Sequence, residues 1–165
     1  MKTLYLLRHA KSSWDDDQLD DKDRPLTKRG KRDCELVIQE LERLNRIPRL
    51  IHCSTARRAQ ETLKKLKQSS ALIDQTPATD SDALYTFEKK ELLDYLKDLP
   101  NDADQLMIIG HNPALLDLAN YLYDGNISTM GTCTFTELAL NVEYWDQLRG
   151  DCAKLVEVIR PKQLR

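Results

Sequence analysis

Thr3-Leu4-Tyr5-Leu6-Leu7-Arg8-His9 is a short apolar run cut off by two basic side chains. A run of this length reads as a strand buried on both faces. Leu50-Ile51-His52-Cys53 and Leu106-Met107-Ile108-Ile109 have the same form, the latter ending at Gly110-His111. Between these runs the apolar spacing is helical. After Pro25-Leu26-Thr27, the residues Cys34, Val37, Ile38, Leu41 and Leu44 form one stripe, with Thr27 or Asp23 as its cap and Pro48 blocking its continuation. Ser54 is expected to cap a second helix with Ala59, Thr62, Leu63 and Leu66 on one face. Glu88 to Leu99 reads as a third, with Leu92, Leu93, Leu96 and Leu99 inward, and Asn112-Pro113 opens a fourth over Ala114 to Tyr123. A short strand is expected near Thr76 to Thr79, and two more over Cys133 to Asn141 and Lys154 to Arg160. Strands alternating with helices predict an α/β fold: one domain over residues 1–165, a mainly parallel open sheet, and helices on both faces.

Composition narrows the function. The chain has 165 residues, enough for one core without staples. Its 25 Lys+Arg against 27 Asp+Glu lack the basic excess of a general nucleic-acid binder. The N-terminal apolar run meets Arg8-His9 too soon for a signal peptide. No apolar run reaches the roughly eighteen residues of a membrane span. Cys34, Cys53, Cys133 and Cys152 show no CxxC pairing, so reduced thiols in a cytoplasmic protein are expected and a zinc site is not. The acidic stretch from Lys11 to Lys28, with Asp15-Asp16-Asp17, Asp20, Asp21 and Asp23, lacks the glycine and closing glutamate of a calcium loop and reads as a solvated surface loop. Arg57 reads as an exposed helical charge and His52 as a packed or edge histidine.

The remaining basic residues converge. Open parallel sheets bind ligands at the carboxyl ends of their strands. Arg8 and His9 follow the first strand, Arg58 lies early in the helix after the second, and His111 follows the 106–109 strand. Helical side chains lean toward the N-terminus, so Arg58 reaches the same edge. Two arginines and two histidines beside helix N-termini make a phosphate pocket. Guanidinium groups stabilise the spread charge of a phosphoryl group in transfer. A neutral imidazole can attack phosphorus and hold it covalently, and neighbouring cations favour that neutral form in His9. Lys11 and Ser12 stand close enough in sequence to contribute phosphate contacts.

These residues also carry a family resemblance. Leu7-Arg8-His9-Ala10-Lys11-Ser12 resembles the Arg-His-Gly signature of the histidine phosphatase superfamily, with Ala10 in place of the common glycine. Ser54-Thr55-Ala56-Arg57-Arg58-Ala59, continuing to Thr62, is similar to that family's Ser-x-x-x-Arg-Ala-x-x-Thr motif, which selects Arg58 over Arg57. Gly110-His111-Asn112-Pro113 resembles its third motif, and Leu26-Thr27-Lys28-Arg29-Gly30 the element opening its first helix. The short chain and the RHAKSSW and DRPLTKRG segments look most like the SixA-type phosphohistidine phosphatases. The resemblance implies His9 as nucleophile, Arg8, Arg58 and His111 on the phosphoryl oxygens, and no metal or other cofactor. It also implies minimal or no cap insertion and a phosphohistidine-bearing signalling protein, of phosphorelay or phosphotransfer type, as partner, with no nucleic acid and no membrane involved.

Larger members of that superfamily protonate an oxygen leaving group with a carboxylic acid from an inserted segment. Here Asp80 to Lys90 is short, and Glu88 reads as a helix N-terminal charge. Two alternatives stand beside phosphohistidine hydrolysis. A phosphatase for small phosphate esters would use the same nucleophile but require that acid. A non-catalytic phosphohistidine-binding module would keep the arginines but has little need of both His9 and His111. A metal-dependent hydrolase fits poorly, since no HxH or HExxH spacing occurs.

Overall fold

A computed structural model describes all residues, Met1–Arg165. Six strands, β1 (Lys2–Arg8), β2 (Leu50–Ser54), β3 (Ala78–Ser81), β4 (Gln105–Gly110), β5 (Phe135–Leu140) and β6 (Ala153–Ile159), form one sheet in the order β3-β2-β4-β1-β5-β6. The pairs β1/β4, β2/β4 and β2/β3 are parallel, while β5 runs antiparallel to both β1 and β6. The sheet is therefore mixed but mostly parallel. The helices are α1 (Lys28–Arg43), α2 (Arg57–Ser69), α3 (Ala71–Asp74), α4 (Lys89–Lys97), α5 (Ala114–Leu122) and α6 (Pro161–Leu164).

The unbroken apolar strands are explained by two cores, one on each face of the sheet. Leu4, Leu6, Leu106 and Ile108 pack with Leu92 and Leu96 of α4, Leu115 and Leu118 of α5, and Trp145. Tyr5, Leu7, Met107 and Ile109 pack on the other face with Val37, Ile38 and Leu41 of α1 and Leu63 and Leu66 of α2. The stripe expected for α1 is thus its buried face. Thr27 caps it, accepting the Gly30 N–H at 3.0 Å. Asp33 on the same helix is buried and held by two bonds from Arg165.

Several boundaries differ from expectation. The third strand is Ala78–Ser81 rather than 76–79. Ser54 ends β2, and Ala56 occupies the α2 cap without a side-chain bond. The stretch from Lys11 to Lys28 is more than a solvated loop: a turn at Asp21–Asp23 interrupts it, Ser12 bridges Leu26, and Ser12 and Arg24 are buried. A buried partner decides such a residue, and sequence pattern does not name partners.

Register places the site. Leu7 pairs with Ile109 and Arg8 with Gly110, so β1 and β4 end together. Cys53 of β2 pairs with Ile109 on the other side of β4. The helix after β1 packs on one face and the helix after β4 on the other. Adjacent parallel strands whose connections part in this way open a crevice between their carboxyl ends.

Candidate active site

The crevice is a cleft of about 270 Å³ whose walls include Arg8, His9, Lys11, Ser12, Arg58 and His111. All six residues singled out in the sequence therefore meet, delivered by β1, the segment after it, α2 and the end of β4.

His9 is only 5% exposed. Its Nδ1 lies 2.7 Å from the Ala10 carbonyl. A carbonyl only accepts, so Nδ1 carries the proton and Nε2 keeps its lone pair. The backbone around it is pinned: His9 N–H donates to the Gly110 carbonyl, and Ala10 N–H to Thr62 Oγ1. Burial pushes the His9 pKa down to about 3, with His111, Arg58 and Arg8 adding to the effect against the pull of the Ala10 carbonyl.

His111 is set by Ser54. Ser54 Oγ accepts the Ala56 N–H at 3.2 Å and stands 2.7 Å from His111 Nε2. When the hydroxyl donates to Nε2, the imidazole proton sits on Nδ1. Nδ1 is buried with no protein partner. Burial, and then the Arg58 charge, push the His111 pKa to about 3 as well. The two imidazoles stand 5.2 Å apart, centroid to centroid. Both are neutral at neutral pH, and His9 offers the lone pair of its Nε2.

Arg58 is almost wholly buried, with Nε 3.3 Å from His9 Nε2. Its other nitrogens donate to the Asp21 carbonyl (2.7 Å) and Asp21 Oδ2 (2.9 Å). Arg8 donates from Nη1 to the Met130 carbonyl, and its Nε is buried without a partner. Ser12 Oγ accepts from Arg24 at 2.8 Å, and Lys11 is exposed at the rim. Glu88 is exposed and is not part of the cleft wall.

Asp21 was not anticipated. Its Oδ2 also accepts from Tyr85 OH at 2.6 Å, and its Oδ1 pairs with Arg24 at 3.2 Å. Burial alone would raise its pKa, but the Tyr85 and Arg58 hydrogen bonds and the charges of Arg58 and Arg24 bring it below the ordinary carboxylate value. It is the one carboxylate of the cleft wall, and it is ionised. Arg24, Ser54 and Tyr85 were likewise missed as site residues. Ser54 alone carried a signal, as the first residue of the Ser-x-x-x-Arg motif. His52 pairs with Tyr95 away from the cleft, and Arg57 is an exposed partner of Glu61.

The family model described as Histidine phosphatase superfamily (branch 1) matches residues 4–84. Over 153 residues the chain is 35% identical to an uncharacterized chloroplastic protein of Arabidopsis thaliana, covering 88% of this chain and 70% of that one. A solved structure assigned as the phosphohistidine phosphatase SixA of Nakamurella multipartitia is 27% identical with a TM-score of 0.78, covering 97% of this chain and 96% of that one. One assigned likewise from Agrobacterium tumefaciens has a TM-score of 0.82 at 21% identity, covering 97% and 98%, and shows the shared fold.

Proposed function

This chain belongs to the histidine phosphatase superfamily and is thereby a phosphatase, and we propose that it hydrolyses phosphohistidine on a protein through a covalent intermediate at His9. The lone pair of His9 Nε2 attacks phosphorus while the Ala10 carbonyl holds the ring by its Nδ1 proton. The bond to the substrate imidazole breaks, and its electron pair passes to that ring. With phosphorus on Nε2, the Arg58 Nε–H stands beside the phosphoryl oxygens. The unpartnered donors, Arg8 Nε–H and His111 Nδ1–H, are suited to take the other oxygens. Water then attacks phosphorus, the bond to His9 Nε2 breaks, and inorganic phosphate departs.

The observation that carries the substrate reading is the state of Asp21. An alkoxide leaving group needs a proton, yet the one carboxylate in the cleft wall is ionised and occupied by Arg58, Tyr85 and Arg24. Removing a general acid costs about a hundred- to ten-thousand-fold in rate. A phosphorylated imidazole already protonated on its far nitrogen escapes most of that penalty, because it leaves as neutral imidazole. No group of three or more His, Cys, Asp or Glu side chains is placed to hold a metal, and the cations lining the cleft are Arg8, Arg24, Arg58 and Lys11. Turnover is therefore expected to survive EDTA.

The deciding experiment offers the protein phosphohistidine proteins alongside sugar phosphates and phosphoserine peptides, and traps the phosphoenzyme. It should be acid-labile, base-stable and absent in His9→Ala, and phosphohistidine should be turned over fastest by about the penalty above. A small ester outrunning every phosphohistidine protein would end the substrate assignment. A phosphoenzyme persisting in His9→Ala would end the mechanism.

A further inference from the structure

Two large aromatic side chains stand at the cleft without a part in the phosphoryl chemistry. Trp14 is 70% exposed and Phe87 42% exposed, whereas His9, Arg58 and His111 beneath them are buried. Large apolar groups held open to water beside a polar cleft point to contact with a ligand. Neither ring is loose. Trp14 lies on the Arg24 guanidinium, with Cζ 3.4 Å from the ring centroid, and Arg24 is in turn fixed by Ser12 and Asp21. Phe87 rests against Tyr85 and His111, each at 5.6 Å between centroids. Each ring is backed by protein on one side and open to water on another.

We propose that Trp14 and Phe87 form the leaving-group subsite, receiving the planar imidazole of the phosphorylated histidine. This rests on the phosphohistidine reading above. In phosphoryl transfer the attacking and leaving atoms lie roughly in line through phosphorus. His9 attacks from the buried floor, so the departing ring lies toward the exposed rim, where these two aromatics stand. An imidazole protonated on its far nitrogen is both a π-system and a cation, and such a group favours the faces of aromatic rings. The contact is made before the P–N bond breaks and weakens once the ring is neutral. It therefore acts on substrate binding, and its product is released easily.

The test compares a phosphohistidine peptide with phosphoramidate, which has the same P–N bond and no ring. In Trp14→Ala and in Phe87→Ala, the ratio of kcat/KM for the peptide over phosphoramidate should fall about three- to tenfold, mainly through KM. Trp14→Phe should restore most of it. The ratio does not depend on the fraction of folded enzyme, so partial misfolding leaves it readable. A ratio unchanged in both alanine variants overturns the subsite while leaving the function intact. A wild-type enzyme that turns over phosphoramidate or esters but no phosphohistidine overturns the function, and the subsite with it.

Discussion

At the scale of single residues, Asp21 fixes the cation that faces the nucleophile. Arg58 is buried, and its approach to His9 is set by two bonds to Asp21. Asp21→Asn keeps an acceptor but loses the charge. A charge-assisted hydrogen bond contributes about 1.5–3 kcal/mol, so kcat/KM should fall roughly ten- to a hundredfold. Steady-state kinetics on phosphohistidine checks this, and a variant with native turnover would show that Arg58 needs no anchor. Glu88→Gln should barely change turnover, since Glu88 stands outside the cleft wall. Sequence made Arg8, His9, Arg58 and His111 legible because each sits at a fixed offset from a strand end or a motif. Asp21 was hidden among similar aspartates. What separates it from Asp20 is Arg58, far away in the chain and brought close only by the fold.

At the scale of elements, α1 docks against the active-site loop through Gly30. A Cβ at Gly30 would stand 2.3 Å from the Lys11 carbonyl oxygen, which also accepts from Thr27. Glycine to alanine in a helix ordinarily stabilises by about 1 kcal/mol. Here Gly30→Ala should instead destabilise by about 1–3 kcal/mol, because backbone must move to make room. Urea unfolding gives the sign directly, and a stabilised variant would refute the close approach. The α1 stripe and the β1 and β4 runs were readable because deep burial leaves no choice of residue. The start of α2 was misplaced because Ser54 is a good cap by type, yet its hydroxyl is engaged by His111. The strand 76–79 slipped to 78–81 because its residues are exposed and carry no apolar pattern.

At the scale of the whole molecule, all three histidines have pKa values held below the ordinary imidazole value, chiefly by burial. Unfolding would return them to about 6.5, so below that pH the unfolded chain binds more protons than the folded one. Stability is fully present above about pH 6.5 and is lost as pH falls toward the folded values near 3 for His9 and His111. Each fully depressed histidine contributes up to about 1.4 kcal/mol per pH unit in that window. The urea midpoint should therefore drop between pH 7 and pH 5, and His9→Asn with His111→Asn should flatten most of the drop. A wild-type midpoint that is flat with pH would contradict the buried, neutral assignment. The position of β1 has one further consequence. Of the six strands it leaves the ribosome first, yet it lies inside the sheet between β4 and β5, which end at Gly110 and Leu140. At about 5–20 residues per second, its two open edges wait on the order of ten seconds for partners. Throughout synthesis of the middle of the chain, the strand that leads into His9 has neither of its sheet partners. The cleft can assemble only after Leu140 has emerged.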